Sequence, residues 1–187
     1  MGTTSSFALR GRPLGRARVT TLGILGFVVA VAAASQVAIP VPGTPVPMTV
    51  QPLIVALAGL WLGPVAGAIS MALYLAAGVA GLPVFTPVGP PGFMRLLGPT
   101  GGYLWAYPVA ALVAGLVASS RRTFVFRALA AAAAFAVIHT GGFAQLLALT
   151  GSAERAIALG TAPFLILDLL KVLAAAALST KTPRATV

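Results

Sequence analysis

Cysteine is absent, histidine occurs once, and Glu154 and Asp168 are the only carboxylates in 187 residues. Without cysteine there is no disulfide, no thiolate metal site and no cysteine nucleophile. One histidine and two separated acids are too few for a protein-built metal cage or a paired-carboxylate site. Charge is scarce too: 7% of residues are charged, against about 25% in a typical soluble domain. Hydrophobic residues, 59% of the chain, take its place.

No charged residue lies between Arg18 and Arg95, between Arg95 and Arg121, or between Arg127 and Glu154. Each gap exceeds the roughly 20 residues that one helical span needs. The chain therefore reads as one integral membrane domain, with no room for a soluble one. In a soluble protein a net charge of +10 would point to nucleic acid, but that requires a basic face on a water-exposed fold. Here the positive charges sit in short connectors and tails, so no nucleic-acid partner is expected.

Six spans are predicted, making an all-α bundle. They run from about Val19 to Ile39, Leu53 to Leu62, Pro64 to Ala80, Tyr103 to Ser119, Ala128 to Leu149 and Ala156 to Leu178. The arginines before the first span and the small residues near its end also describe a secretory signal peptide. The apolar stretch is longer than the usual h-region, which favours a retained span. Pro40, Pro42, Pro45, Pro47 and Pro52 exclude a continuous helix over Ile39 to Pro52. Apolar, irregular backbone of this kind is tolerated at membrane depth only when buried in protein or lining a cavity, so it is expected to fold onto the bundle. Gly63-Pro64 marks a tight turn. Gly81 to Gly102, with five more prolines, is a second irregular connector and carries Arg95.

With both termini cytoplasmic, Arg10, Arg12, Arg16, Arg18, Arg121, Arg122, Arg127, Lys181 and Arg184 fall inside, while Arg95 and Arg155 fall outside. That distribution obeys the positive-inside rule, and five or seven spans would break it at the C-terminal tail. The expected organisation is a basic tail over 1–18, a six-helix domain over 19–178 and a cytoplasmic tail over 179–187. Both Pro-rich connectors then lie on the outer side, either as a lid over an outward-opening cavity or as ordered caps on the bundle.

Asp168 and Lys171 are the strongest chemical signal. Their i, i+3 spacing puts them on one helix face within pairing reach. Near mid-span each costs about 2.5–3.5 kcal/mol, which pairing offsets, yet a buried pair is often no more stabilising than apolar residues. A ligand or ion site is the better reason for the pair; a self-satisfied helix lock is the other. A carboxylate accepts and an ammonium donates, so together they suit a neutral group with both N–H and C=O, such as a urea. Arg95 is a candidate for an anionic tail, or else a solvated loop charge. His139 is expected as a helix-packing hydrogen-bonder, and Glu154 with Arg155 as a solvated loop pair. Thr49, Gln51, Tyr74, Tyr103 and Gln145 are polar handles near span ends. Gly26, Ala30, Ala34 and Ala38 form a small-residue stripe that permits close helix approach, for packing or for partner docking. Neither Lys171 nor Lys181 ends a Gly-rich phosphate loop, so any ATP used in transport is hydrolysed by another subunit.

The run Ile39-Pro40-Val41-Pro42-Gly43-Thr44-Pro45-Val46-Pro47-Met48-Thr49-Val50-Gln51, followed by Leu57-Ala58-Gly59 and Leu62-Gly63-Pro64, resembles the BioY family, the biotin-binding S components of energy-coupling factor (ECF) transporters. Tyr74-Leu75, Gly78, Gly81-Leu82-Pro83-Val84-Phe85, Gly98-Pro99-Thr100-Gly101-Gly102-Tyr103-Leu104 and Asp168-x-x-Lys171 continue the match in order. The resemblance implies a six-helix subunit of the bacterial cell membrane that captures biotin from the outer side. It implies partners, an ECF transmembrane coupling protein and ABC-type ATPases, and allows a homo-oligomer. It places biotin on Asp168 and Lys171, closes the first connector over it, and docks the coupling protein on the Gly26–Ala38 stripe. With the ureido head on Asp168 and Lys171, Arg95 is expected to meet the valerate carboxylate, and Val46 to Met48 with Tyr74 to wall the ring. The competing expectations are an S component for a different vitamin, a six-helix bundle whose Asp-Lys pair is structural with no ligand, and an intramembrane enzyme using Asp168 or His139. The last is disfavoured because the sequence offers neither residue a second catalytic partner.

Overall fold

Proline and glycine stand at most of the helix ends of this chain. The computed structural model describes residues 14–121 and 123–181, with side chains over 20–121 and 123–180. Of the basic residues used to orient the chain, Arg10, Arg12, Arg122 and Arg184 lie outside it, as do the side chains of Arg16, Arg18 and Lys181. Helix α1 spans Leu14–Gln36, starting five residues before the expected Val19 and taking Arg16 and Arg18 into its first turns. It also ends early. The ring of Pro40 would collide with the carbonyl of Gln36 four residues back, and the chain turns extended instead. Ala38–Ile39 (β1) pairs antiparallel with Met48–Thr49 (β2), in the register Ala38 to Thr49 and Ile39 to Met48. Ala38 therefore leaves the helical stripe predicted for it, which ends at Ala34. The loop between these two strands folds back onto the bundle, as expected of apolar irregular chain.

Helix α2 is Gln51–Leu62, with Pro52 in its first turn, and α3 is Pro64–Val79. Gly63 joins them at φ 85°, ψ 178°, a conformation open to glycine without strain, and Pro64 takes the first helical position of α3. The second connector is less irregular than its prolines predict, because Met94–Leu97 forms a one-turn helix, α4. Helix α5 is Gly101–Ser120 and α6 is Phe124–Thr150. The hydroxyl of Thr123 accepts from Phe126 N at the start of α6, and Gly151 closes its end in the left-handed conformation.

The predicted sixth span is broken. Ala153–Gly160 (α7) and Leu165–Lys181 (α8) meet at a 55° bend. Pro163 has no N–H to give and crowds the carbonyl of Leu159, and the helix breaks before it. Glu154 and Arg155, expected in a loop, are exposed residues in the first turn of α7.

Among the described residues, α5 and α6 are each long and apolar enough to cross a membrane, and α7 and α8 pass the same test only when taken together as one bent span. The apolar part of α1 (Thr20–Gln36), α2 and α3 are shorter. The architecture is an all-helical membrane bundle. Leu22, Val29, Val65, Val125 and Ile166 point outward, each more than 60% exposed, a surface suited to lipid rather than water.

Inside, α5 and α6 form the most extensive helix pair. They meet through small residues: Ala110, Ala111 and Ala114 on α5, and Ala130, Ala131 and Ala134 on α6, are all fully buried. A Cβ on Gly102 would run into the carbonyl oxygen of Gly141, and one on Gly141 into the carbonyl oxygen of Gly102. Lipid tails are as apolar as leucine, so close backbone approach of this kind is a main source of association between spans.

Candidate functional site

A cavity of about 620 Å³, counting its open mouth, lies between the first connector and helices α2, α3, α5, α6 and α8. Each helix delivers specific side chains. Val46, Pro47 and Met48 of the first connector form one wall, held by the β1–β2 pairing. Tyr74 from α3 and Phe85 from the second connector meet edge to face, with ring centroids 5.5 Å apart. Gly78 makes that possible, since a Cβ there would enter the Phe85 ring. Tyr103 and Tyr107 from α5, Ile138 and His139 from α6, and Phe164 at the α7–α8 break complete the apolar and aromatic surround.

Polar groups are few and grouped. Asp168 sits in the first turn of α8, where its own N–H bonds the carbonyl of Phe164 at 2.9 Å. The positive end of the helix dipole favours a carboxylate there. Lys171, one turn on, donates from Nζ to Asp168 Oδ1 at 2.7 Å. His139 Nε2 lies 2.8 Å from Asp168 Oδ2. Asp168 is thus held between an ammonium and an imidazole, one on each oxygen, and all three residues line the cavity.

On the opposite wall Gln51 donates to the Tyr74 hydroxyl at 2.8 Å, and Thr49 donates to the Gln51 side-chain oxygen at 3.3 Å. Thr49, Gln51 and Tyr74 all line the cavity, so the structure brings these predicted residues together with Asp168 and Lys171.

Arg95 is placed differently. It is buried, but it is not among the lining residues; its guanidinium donates to the backbone carbonyls of Thr86 and Val88. It is therefore no solvated loop charge, and burial lowers its pKa from the ordinary guanidinium value. Through Thr86, which does line the cavity, Arg95 fixes the stretch that carries Phe85 inward. Gln145 on α6 pins the other end of that connector, donating to the carbonyls of Leu97 and Gly98 at 3.0 and 3.3 Å.

His139 was expected only as a helix-packing hydrogen-bonder, and the sequence offered no partner for it and none for Asp168 beyond Lys171. His139 and Asp168 partner each other across 29 positions of sequence. The one available signal was a lone imidazole inside an apolar span. Tyr103, read as a minor polar handle, is a cavity wall whose hydroxyl donates to Gly160 O at 2.6 Å, beside the helix break.

On the predicted docking stripe, a Cβ on Gly26 would meet nothing within 4 Å, and Ala30 and Ala34 are half-buried. The stripe is thus open at Gly26 and partly covered at Ala30 and Ala34.

An all-helical membrane bundle with a lidded aromatic cavity and one charged cluster defines a membrane-embedded solute-binding protein. The comparisons narrow the class. Residues 12–186 match the model of the BioY family. The chain is 36% identical over 138 residues to the biotin transporter BioY of Thermotoga maritima, covering 74% of this chain and 81% of that one. It is 39% identical over 127 residues to a probable biotin transporter BioY of Pyrococcus horikoshii, covering 68% and 74%. In fold it is similar to the crystal structure of the S-component for biotin from an ECF-type ABC transporter, at a TM-score of 0.82 and 21% identity over 91% of this chain and 93% of that one. The chain belongs to the BioY family.

Proposed function

We propose that this chain is a biotin-capturing S component: it binds the vitamin from the outer side of a bacterial cell membrane and delivers it inward with an ECF energising module. It is a transport subunit and not an enzyme. The observation that carries the reading is the clamp on Asp168, a carboxyl group held by Lys171 and His139 on the wall of an aromatic cavity.

Lys171 uses one of its three N–H groups on Asp168 and keeps two for a ureido oxygen. Asp168 has an occupied position on each oxygen and keeps lone pairs for ureido N–H groups. The walls made by Val46 to Met48, Tyr74 and Phe85 suit the sulfur ring. Thr49 and Gln51 hold the far wall through Tyr74. Arg95 is the cation for the valerate carboxylate, on exchanging the Thr86 or Val88 carbonyl for the ligand.

The positive-inside distribution supports cytoplasmic termini, which puts both connectors and the cavity mouth outside. The small-residue face of α1 at Gly26, Ala30 and Ala34 is the docking surface for a transmembrane coupling protein, with ABC-type ATPases supplying the hydrolysis that this chain lacks a motif for.

Equilibrium binding of labelled biotin to the detergent-purified chain tests this. Excess unlabelled biotin should displace the label, riboflavin should not, and Lys171→Ala should bind at least 10-fold more weakly. A folded preparation that binds no biotin overturns the assignment and returns the question to other vitamins.

A further inference from the structure

The cavity cluster contains a residue whose role the biotin reading does not use. His139 Nε2 lies 2.8 Å from Asp168 Oδ2 while Lys171 holds Oδ1. A carboxylate engaged by an ammonium is ionised and only accepts, so Nε2 carries a proton. His139 Nδ1 is buried and has no hydrogen-bond partner among the described residues. An imidazolium would place a second N–H there, buried and unpaired, at the full desolvation cost of a charged donor. A neutral ring places only a lone pair there. The geometry thus selects the neutral Nε2–H tautomer, and a cluster in which one cation and one anion cancel.

We infer that His139 is a positioning residue of the ligand site: its Nε2–H holds the Asp168 carboxylate in the plane that leaves lone pairs for the ureido N–H groups. This rests on the biotin reading above.

The chain contains a single histidine, so full-length protein labelled with ¹⁵N-histidine and carrying a tag free of histidine gives one pair of ring-nitrogen signals. The expected spectrum at neutral pH is Nε2 protonated and Nδ1 unprotonated, with tautomers mixing in Asp168→Asn. His139→Gln, which keeps an N–H donor, should retain most of the wild-type affinity, and His139→Leu, which has none, should lose about 10- to 100-fold. Wild-type affinity in His139→Leu overturns the inference while leaving biotin in place, as does an unprotonated Nε2. A folded wild type that binds no biotin removes the underlying reading, and the inference falls with it.

Discussion

Thr44 and Leu159 lie 115 positions apart, and the Thr44 hydroxyl donates to the Leu159 carbonyl at 2.5 Å. That carbonyl is available because Pro163, four residues on, has no N–H to return to it. The same hydroxyl accepts from Val46 N at 3.0 Å, at the start of the cavity wall. One proline thus breaks the last span and presents the acceptor that fastens the first connector over the site.

Thr44→Val should release that fastening. The expected effect is a several-fold faster dissociation of labelled biotin, with a stability loss of only about 1 kcal/mol, the net worth of one hydrogen bond. Dissociation rate and melting temperature measured on one preparation check both halves. An unchanged rate would mean that the connector is held by its apolar contacts alone.

Asp168 and Lys171 act as one unit, so their substitutions should not add. Asp168→Asn and Lys171→Ala are each expected to weaken biotin binding about 10- to 100-fold. The double variant should lose much less than the product of the two, with the coupling read from a double-mutant cycle. Additive losses would separate the two residues functionally.

Arg95→Gln should lower affinity for biotin by about 10-fold or more and for biotin methyl ester by less. Equal losses for acid and ester would confine Arg95 to holding the carbonyls of Thr86 and Val88. Competition binding with both ligands distinguishes the two results.

Gly102 and Gly26 should respond oppositely to alanine. At Gly102 the new Cβ meets the Gly141 carbonyl oxygen, a backbone atom that cannot swing away, while at Gly26 it meets open space. Gly102→Ala is expected to destabilise by about 1–3 kcal/mol. Gly26→Ala should be neutral or stabilising by up to about 1 kcal/mol. Thermal unfolding in detergent compares them, and a reversed order would contradict the α5–α6 approach described here.

Much of the fold was legible because its signals are local. Gly63-Pro64 ends one helix and starts another by backbone preference alone, and the charge gaps mark where apolar helices must run. Asp168 and Lys171 declared themselves by spacing within one helix. Other features were hidden because their causes are not local. Pro163 was visible, but an apolar stretch gave no measure of the 55° bend. Ala38 kept the four-residue repeat of its stripe, yet the ring of Pro40 ended the helix before it. His139 looked like a packing residue, since sequence cannot say which polar group faces it across the bundle.

The sequence by itself determined the medium, the class of element and the main charged pair, because hydrophobic length, proline chemistry and i, i+3 spacing act within a few residues. Only the tertiary structure decided that Asp168 has two partners, that Arg95 turns to its own connector and that Thr44 reaches the broken helix. Those outcomes depend on how closely α5 and α6 approach through Gly102 and Gly141 and on where the chain bends at Pro163. Contacts between distant segments are set by that packing as a whole.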